Sequence, residues 1–115
     1  MKKKPEKLYD LKELRIIAES DELFFHEMIA LFISQNETAM QEIRNYTASG
    51  NFAKVKAILH KMKPSLMVMG VCSIVEIIQQ LEKLELSPAN EPLFINLLQS
   101  LEAILLEVNS QFRMI

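Results

Sequence analysis

The chain has 115 residues, half of them hydrophobic, and only two glycines and four prolines interrupt them. This length and composition predict one globular domain with a sizeable core and exclude a largely disordered protein. The formal net charge of −2 argues against a nucleic-acid-binding protein, because neutralising phosphates requires an excess of clustered lysine and arginine.

Cysteine usage and hydropathy indicate the compartment. The single cysteine, Cys72, cannot form an internal disulfide, which is typical of a reducing environment. No stretch reaches the ~20 apolar residues that span a bilayer, and no apolar segment of signal-peptide type follows the basic N-terminus. We therefore expect a cytoplasmic protein without membrane insertion. A module of a larger, membrane-anchored protein would have the same composition.

The N-terminal part of the chain is predicted to contain a short helix. Residues 1–9 are interpreted as a polar lead-in, followed by a single helical domain over residues 10–115. Asp10 and Glu13 have the spacing of a capping box, which predicts that the first helix starts there. Ser20, Asp21 and Glu22 are expected to end this helix and to supply the N-cap of the next one.

The second predicted helix is the longest, at about 27 residues or ~40 Å. Residues at helical spacing place one apolar face toward the core: Phe25, Ile29, Phe32, Ala39, Ile43 and Tyr46. Its first half has a second apolar face, formed by Phe24, Met28 and Leu31. The two faces predict that this helix packs against the first helix as well as the main bundle.

The third predicted helix follows a tight break. Gly50 suits the left-handed position after the second helix, and Asn51 suits the N-cap of the third. Apolar residues then recur at steps of three and four and predict one buried stripe: Phe52, Val55, Leu59, Met62, Leu66 and Met69. Gly70 is expected to end this helix.

Two more helices complete the predicted fold. Ser73 and Glu76 resemble a second capping box, and Asn90 is the expected N-cap of the last helix. The inward residues of these helices are Ile74, Ile77, Ile78, Leu81 and Leu84, then Phe94, Leu97, Leu98, Leu101, Leu105, Val108 and Phe112. No segment alternates with period two. Because helices joined by short links run antiparallel, we predict an all-α fold: an antiparallel up-and-down four-helix bundle with a short additional N-terminal helix.

His60 lies off the apolar stripe of the third helix and has lysines as helical neighbours. Lys56 precedes it by four residues and Lys63 follows it by three, the separations at which helical side chains meet. An imidazole between two ammonium groups is a nucleophile suited to an anionic substrate. On spacing alone, an inert histidine on a solvated, lysine-rich face is the more common case.

The other histidine, His26, is interpreted as a half-exposed surface residue near the start of the second helix. A zinc site requires three or four ligands brought together, whereas this chain has two separated histidines and one cysteine. We therefore expect no metal site.

The string His60-Lys61-Met62-Lys63-Pro64-Ser65, followed by Met69-Gly70, resembles the signature of histidine-containing phosphotransfer (HPt) domains. That signature reads His-x-(Leu/Met)-Lys-Gly-Ser and then an apolar residue and Gly. The predicted bundle from about Ser20 to Phe112 is also similar to the family's architecture. Pro64 departs from the pattern by replacing the glycine.

The resemblance implies roles for the residues on this face. His60 accepts a phosphoryl group on its outer ring nitrogen, and Lys63 stabilises the phosphoryl oxygens. Independently of the resemblance, Lys56 lies one turn behind His60 and is expected to assist. General chemistry supports these roles, because neutral imidazole is a competent nucleophile and ammonium groups offset phosphate charge.

Further expectations concern Glu82 and Pro64. In the family, a side-chain amide on the following helix often hydrogen-bonds the inner ring nitrogen of the histidine. The corresponding position in this chain falls near Glu82, and a glutamate there departs from the family's pattern. This glutamate either accepts a bond from Nδ1 and sets the tautomer or is a solvated surface charge, which we favour. Pro64 has no amide hydrogen to donate to the carbonyl of His60, and its ring presses on that carbonyl. We therefore predict a kink or a loosened turn in the third helix at this point. A rigid apolar ring there is expected to alter partner preference.

A partner-binding surface is predicted around the histidine. Met67 lies one turn further along the same face and is expected to be exposed, and its flexible thioether suits a surface that receives several partners. Leu8, Tyr9, Leu11, Ile16 and Phe24 are further candidate contacts, of which Leu11 is interpreted as core.

The function implied by the resemblance is a relay of phosphoryl groups between His60 and aspartates of response-regulator receiver domains or hybrid histidine kinases. We expect a monomeric carrier without kinase activity, because no nucleotide-binding loop or paired carboxylates for Mg²⁺ are visible. No cofactor is expected on this chain, and Mg²⁺ is expected on the receiver. The alternative is a non-catalytic helical adaptor that binds a partner through the bundle surface.

Overall fold

The computed structural model describes residues 6–115, which form five α-helices and no β-strand. The helices are α1 (Lys12–Ala18), α2 (Glu22–Ala48), α3 (Phe52–Val68), α4 (Cys72–Lys83) and α5 (Glu91–Arg113). The predicted all-α class is therefore confirmed. The predicted polar lead-in lies partly outside the described residues, since it includes residues 1–5.

The four longer helices enclose one core. Helix α2 packs against α3 and α5, and α4 also packs against α3 and α5, while α1 packs on α2. Each of the four contributes fully buried side chains, for example Phe25, Leu59, Ile78 and Leu105. The apolar stripes predicted for α3, α4 and α5 all lie buried or half-buried in this core.

Two predicted N-caps are confirmed. The Asp21 carboxylate accepts a hydrogen bond from the backbone amide of Phe24 at 2.9 Å, and Asn51 accepts one from Lys54 at 3.3 Å. Gly50 precedes Asn51 with a φ of 73°, as its predicted left-handed position requires. The boundaries of α2 and the start of α3 thus follow from local hydrogen bonding.

Both predicted capping boxes are wrong. Helix α1 begins at Lys12, and Asp10 accepts only a short-range bond from the Lys12 amide at 3.0 Å. Helix α4 begins at Cys72, because the Val71 amide bonds back to Leu66 and the chain enters α4 at once. Ser73 therefore lies inside the first turn, and its buried hydroxyl has no hydrogen-bond partner within the described chain.

The predicted N-cap Asn90 does precede α5, but its side chain does not cap that helix. The Asn90 amide instead donates to the carbonyl of Glu85 at 2.8 Å, within the α4–α5 link.

The prediction that α2 packs against the first helix as well as the main bundle is confirmed, since α2 contacts α1, α3 and α5. The second apolar face of α2 is only partly covered. Met28 is half-buried against the core, whereas Phe24 and Leu31 are exposed.

The segment before α1 crosses the α3–α4 turn. The Asp10 amide donates to the Met69 carbonyl at 3.3 Å, and Gly70 beside it has a φ of 65°. A Cβ on Gly70 would overlap the backbone of Asp10. Glycine at this turn is thus required both by backbone conformation and by the close approach of another segment.

The start of this segment is held by the end of α5. The Leu8 amide donates to Gln111 Oε1 at 3.0 Å, and the Tyr9 ring packs edge-on against Phe112 at 4.8 Å.

Within residues 6–115, no helix is both long and apolar enough to cross a membrane.

Candidate functional site

His60 projects from α3 with 69% of its side chain exposed. Its Nδ1 atom lies 2.9 Å from Oε2 of Glu82 on α4. Within the part of the chain that the structure describes, Nε2 has no hydrogen-bond partner. One ring nitrogen is therefore held by the protein, and the other is available to solvent.

Glu82 joins the imidazole to a lysine. Its Oε2 contacts His60, and its Oε1 lies 2.6 Å from Nζ of Lys63 on α3. The interpretation of Glu82 as a solvated surface charge is therefore wrong, and its alternative, a bond to Nδ1, describes the contact. Because the neighbouring Leu81 and Ile78 are buried, Glu82 is directed to the edge of α4 that borders α3.

The electrostatics of this cluster favour one tautomer. The hydrogen bond from Lys63 and then that from His60 lower the pKa of Glu82, while partial burial opposes the shift. Glu82 is therefore ionised at neutral pH. Since an ionised carboxylate can only accept hydrogen bonds, the imidazole donates from Nδ1. In the neutral ring, the lone pair is then on Nε2, which faces outward.

Lys56 makes a different contact from the one expected. Its ammonium group donates to the backbone carbonyls of Glu82, at 3.3 Å, and of Leu84. Lys56 thus bridges α3 to the C-terminal end of α4.

The sequence matches the Hpt domain family over residues 27–110, which include His60, Lys63 and Glu82. This chain belongs to the Hpt domain family. Hpt domains perform histidine phosphotransfer in phosphorelays as phosphocarriers, and they interact with response-regulator and kinase domains. No curated protein and no solved structure matched the chain significantly.

In this Hpt domain, Pro64 lies exposed within α3, which continues to Val68 without a break. The buried residues on either side of it, Leu59 and Leu66, anchor both halves of the helix in the core. A bend of the helix axis at Pro64 stays a prediction.

The predicted exposure of Met67 is confirmed, since it is 64% exposed. Of the other candidate contacts of the Hpt domain, Ile16 and Phe24 are also exposed. Leu8, Tyr9 and Leu11 are half-buried against the core.

His26 does not belong to the site. Its side chain is 53% exposed, and its Nε2 lies 3.8 Å from Glu22. The interpretation of His26 as a surface residue is confirmed. Among residues 6–115, no three His, Cys, Asp or Glu side chains are grouped so that they could hold a metal ion.

Proposed function

We propose that this Hpt domain carries a phosphoryl group on His60 Nε2, to or from an aspartate of a receiver domain. The partner is a response regulator or a hybrid histidine kinase. One observation supports this proposal above the others: the exposed ring has Nδ1 bonded to the ionised Glu82 and Nε2 directed to solvent.

The chemical step needs only groups that the two proteins supply. The Nε2 lone pair attacks the phosphorus of a receiver aspartyl phosphate, a bond forms between nitrogen and phosphorus, and the bond between phosphorus and the aspartate oxygen breaks. The aspartate leaves as a carboxylate. The ring retains its Nδ1 proton and becomes positively charged, and Glu82 balances that charge. The reverse step returns the phosphoryl group.

The lysines adjust the charge around the phosphoryl group. A phosphoryl group brings up to about two negative charges at neutral pH, and Lys63, next to Glu82, supplies a compensating ammonium. Lys56 assists indirectly, because its ammonium donates to backbone carbonyls at the end of α4. Mg²⁺ is proposed to be held by the receiver, and this chain acts as a carrier without kinase activity of its own.

The scaffold proposed for this role is a single domain over residues 10–115 and a monomer in the cytoplasm. We infer that α2, α3, α4 and α5 run antiparallel, up and down, with α1 as the additional helix. The short links between consecutive helices and the packing of each on two of the others support this arrangement.

The test is transfer of label from a receiver domain phosphorylated with ³²P. We expect label on the wild type and on His26→Gln, which removes the other histidine, and none on His60→Gln. Circular dichroism would show that all three proteins are folded. Binding of receivers to wild type without labelling would instead support the adaptor function.

A further inference from the structure

The ammonium of Lys56 contacts backbone oxygens at the C-terminal end of α4. It donates to the carbonyl of Glu82 and to that of Leu84, two residues later. The side chain lies half-buried between α3 and α4. These contacts direct the charge of Lys56 at main-chain oxygens in the segment that contains the site glutamate.

The position of these carbonyls explains why an ammonium is stabilising there. Helix α4 ends at Lys83, with Leu84 as its C-cap, so the carbonyls of Glu82 and Leu84 belong to the end of the helix. The last carbonyls of a helix have no partner within the helix, and a positive charge at this end also interacts favourably with the helix dipole. Terminal turns otherwise fray. Glu82, whose carboxylate must stay aligned with His60, lies in this turn.

We propose that Lys56 is a positioning residue: it anchors the backbone of Glu82, so that the carboxylate holds the Nδ1 proton of His60 and Nε2 stays free. Two contacts join Lys56 to the end of α4, and a third joins the Glu82 carboxylate to the ring. The effect on transfer rests on the proposed function, whereas the effect on the imidazole tautomer does not.

The experiment compares Lys56→Met, which keeps the bulk of the stem but removes the ammonium, with Lys56→Arg, which retains donors for both carbonyls. Lys54→Met is the matched control, because it removes the same charge from an exposed position of the same helix. The first measurement is the ¹⁵N chemical shift of the His60 ring nitrogens in the unphosphorylated protein, which reports the tautomer. The second is the rate of phosphoryl transfer from a receiver.

We expect Lys56→Met to increase the fraction of rings protonated at Nε2. We also expect it to slow transfer about fivefold, as when a hydrogen bond worth about 1 kcal/mol is lost. Lys56→Arg should restore both values, and Lys54→Met should leave both unchanged. An unchanged tautomer in Lys56→Met would overturn the proposal, even if transfer slowed, because Lys56 would then act on the phosphoryl group directly or on overall stability.

A double-mutant cycle with Glu82→Ala separates the two routes further. If Lys56 acts through Glu82, Lys56→Met should cause no additional slowing once Glu82 is alanine. An additive effect contradicts the proposal. Should Lys56→Met not fold at the assay temperature, Lys56→Gln keeps an uncharged NH₂ donor and should give an intermediate tautomer shift. If no receiver labels the wild type, the proposed function fails, while the tautomer measurement still decides the role of Lys56.

Discussion

Two of the polar clusters that join helices in this protein have opposite environments. Between α3 and α4, His60, Glu82 and Lys63 form a charged cluster at the surface. Between α2 and α5, the Asn36 amide donates to Asn109 Oδ1 at 2.7 Å, and both residues are almost completely buried.

The difference shows how the bundle separates stability from chemistry. Neutral amides can be buried when a hydrogen bond joins them, whereas burying charged groups would carry a large desolvation cost. The charged cluster stays at the surface, where solvent weakens its contribution to stability and where Nε2 can reach a partner. We therefore expect changes in the interior to affect mainly unfolding and changes at the surface to affect mainly transfer.

The largest effect on the interior should come from Gly70→Ala. Alanine at this position must adopt a positive φ, which is unfavourable for a residue with a Cβ, and its Cβ overlaps the Asp10 backbone. We therefore expect the unfolding free energy to fall by about 3 kcal/mol. Gly50→Ala is the control, since it has a similar φ but open space, and should lose only about 1 kcal/mol. Urea unfolding measures both. Equal losses would mean that the crossing segment contributes nothing.

The buried amide pair should come next. Asn36→Leu leaves the Asn109 amide without its partner, which should lower the unfolding free energy by about 2 kcal/mol while the rate of transfer per folded molecule stays the same. Asn36→Leu combined with Asn109→Leu should recover part of this loss, because no buried polar group is then left unpaired. Slower transfer by folded Asn36→Leu would contradict the separation of the two regions.

Glu82→Ala should affect the rate of transfer more than the unfolding free energy. It removes the acceptor for Nδ1, and we expect transfer to slow about tenfold, as when a charge-assisted hydrogen bond of about 1.5 kcal/mol is lost. Stability should change by less than about 1 kcal/mol, because the cluster lies at the protein surface, where solvent screens its charges. Glu76→Ala, an exposed glutamate on the same helix, is the matched control. The expectation fails if the two variants transfer at the same rate.

The smallest effect should be a dependence of stability on pH. The pKa of Glu82 is lowered in the folded state, so its contribution is complete above the unfolded-state pKa of about 4.3 and is lost as pH falls through the lower folded value. In urea unfolding, the stability difference between wild type and Glu82→Gln should therefore shrink as the pH falls below the unfolded-state value of Glu82 and disappear in acid. A difference that stays the same or grows in that acidic range would contradict the lowered pKa.

The buried amide pair shows a signal that sequence reasoning overlooked. Asn36 lies four residues after Phe32 and four before Met40, so it shares the buried face of α2, and Asn109 lies four residues after Leu105. Helical spacing thus placed both amides on core faces. That they meet each other depends on how α2 and α5 align, which spacing within one helix does not determine.

At the functional site, too, spacing within one helix does not determine contacts between helices. The position of His60 off the apolar stripe and the exposure of Met67 follow from periodicity, because each concerns one helix. The partners of Lys56 and Glu82 do not, because both bonds cross from α3 to α4 over more than 20 residues of sequence. The failed capping box at Ser73 has a different cause, because the bond from Val71 to Leu66 is a local one at the end of α3, and α4 begins directly after it.

By itself, the sequence determined what depends on neighbours within one or two helical turns: the helices, their buried stripes, the caps at Asp21 and Asn51, and the face that carries His60. Only the tertiary structure decided which side chains meet across helices, and hence that Glu82 holds the imidazole while Lys56 holds the end of α4. The physical reason is that helical periodicity fixes the direction of a side chain, whereas its partner is set by the relative rotation and offset of packed helices.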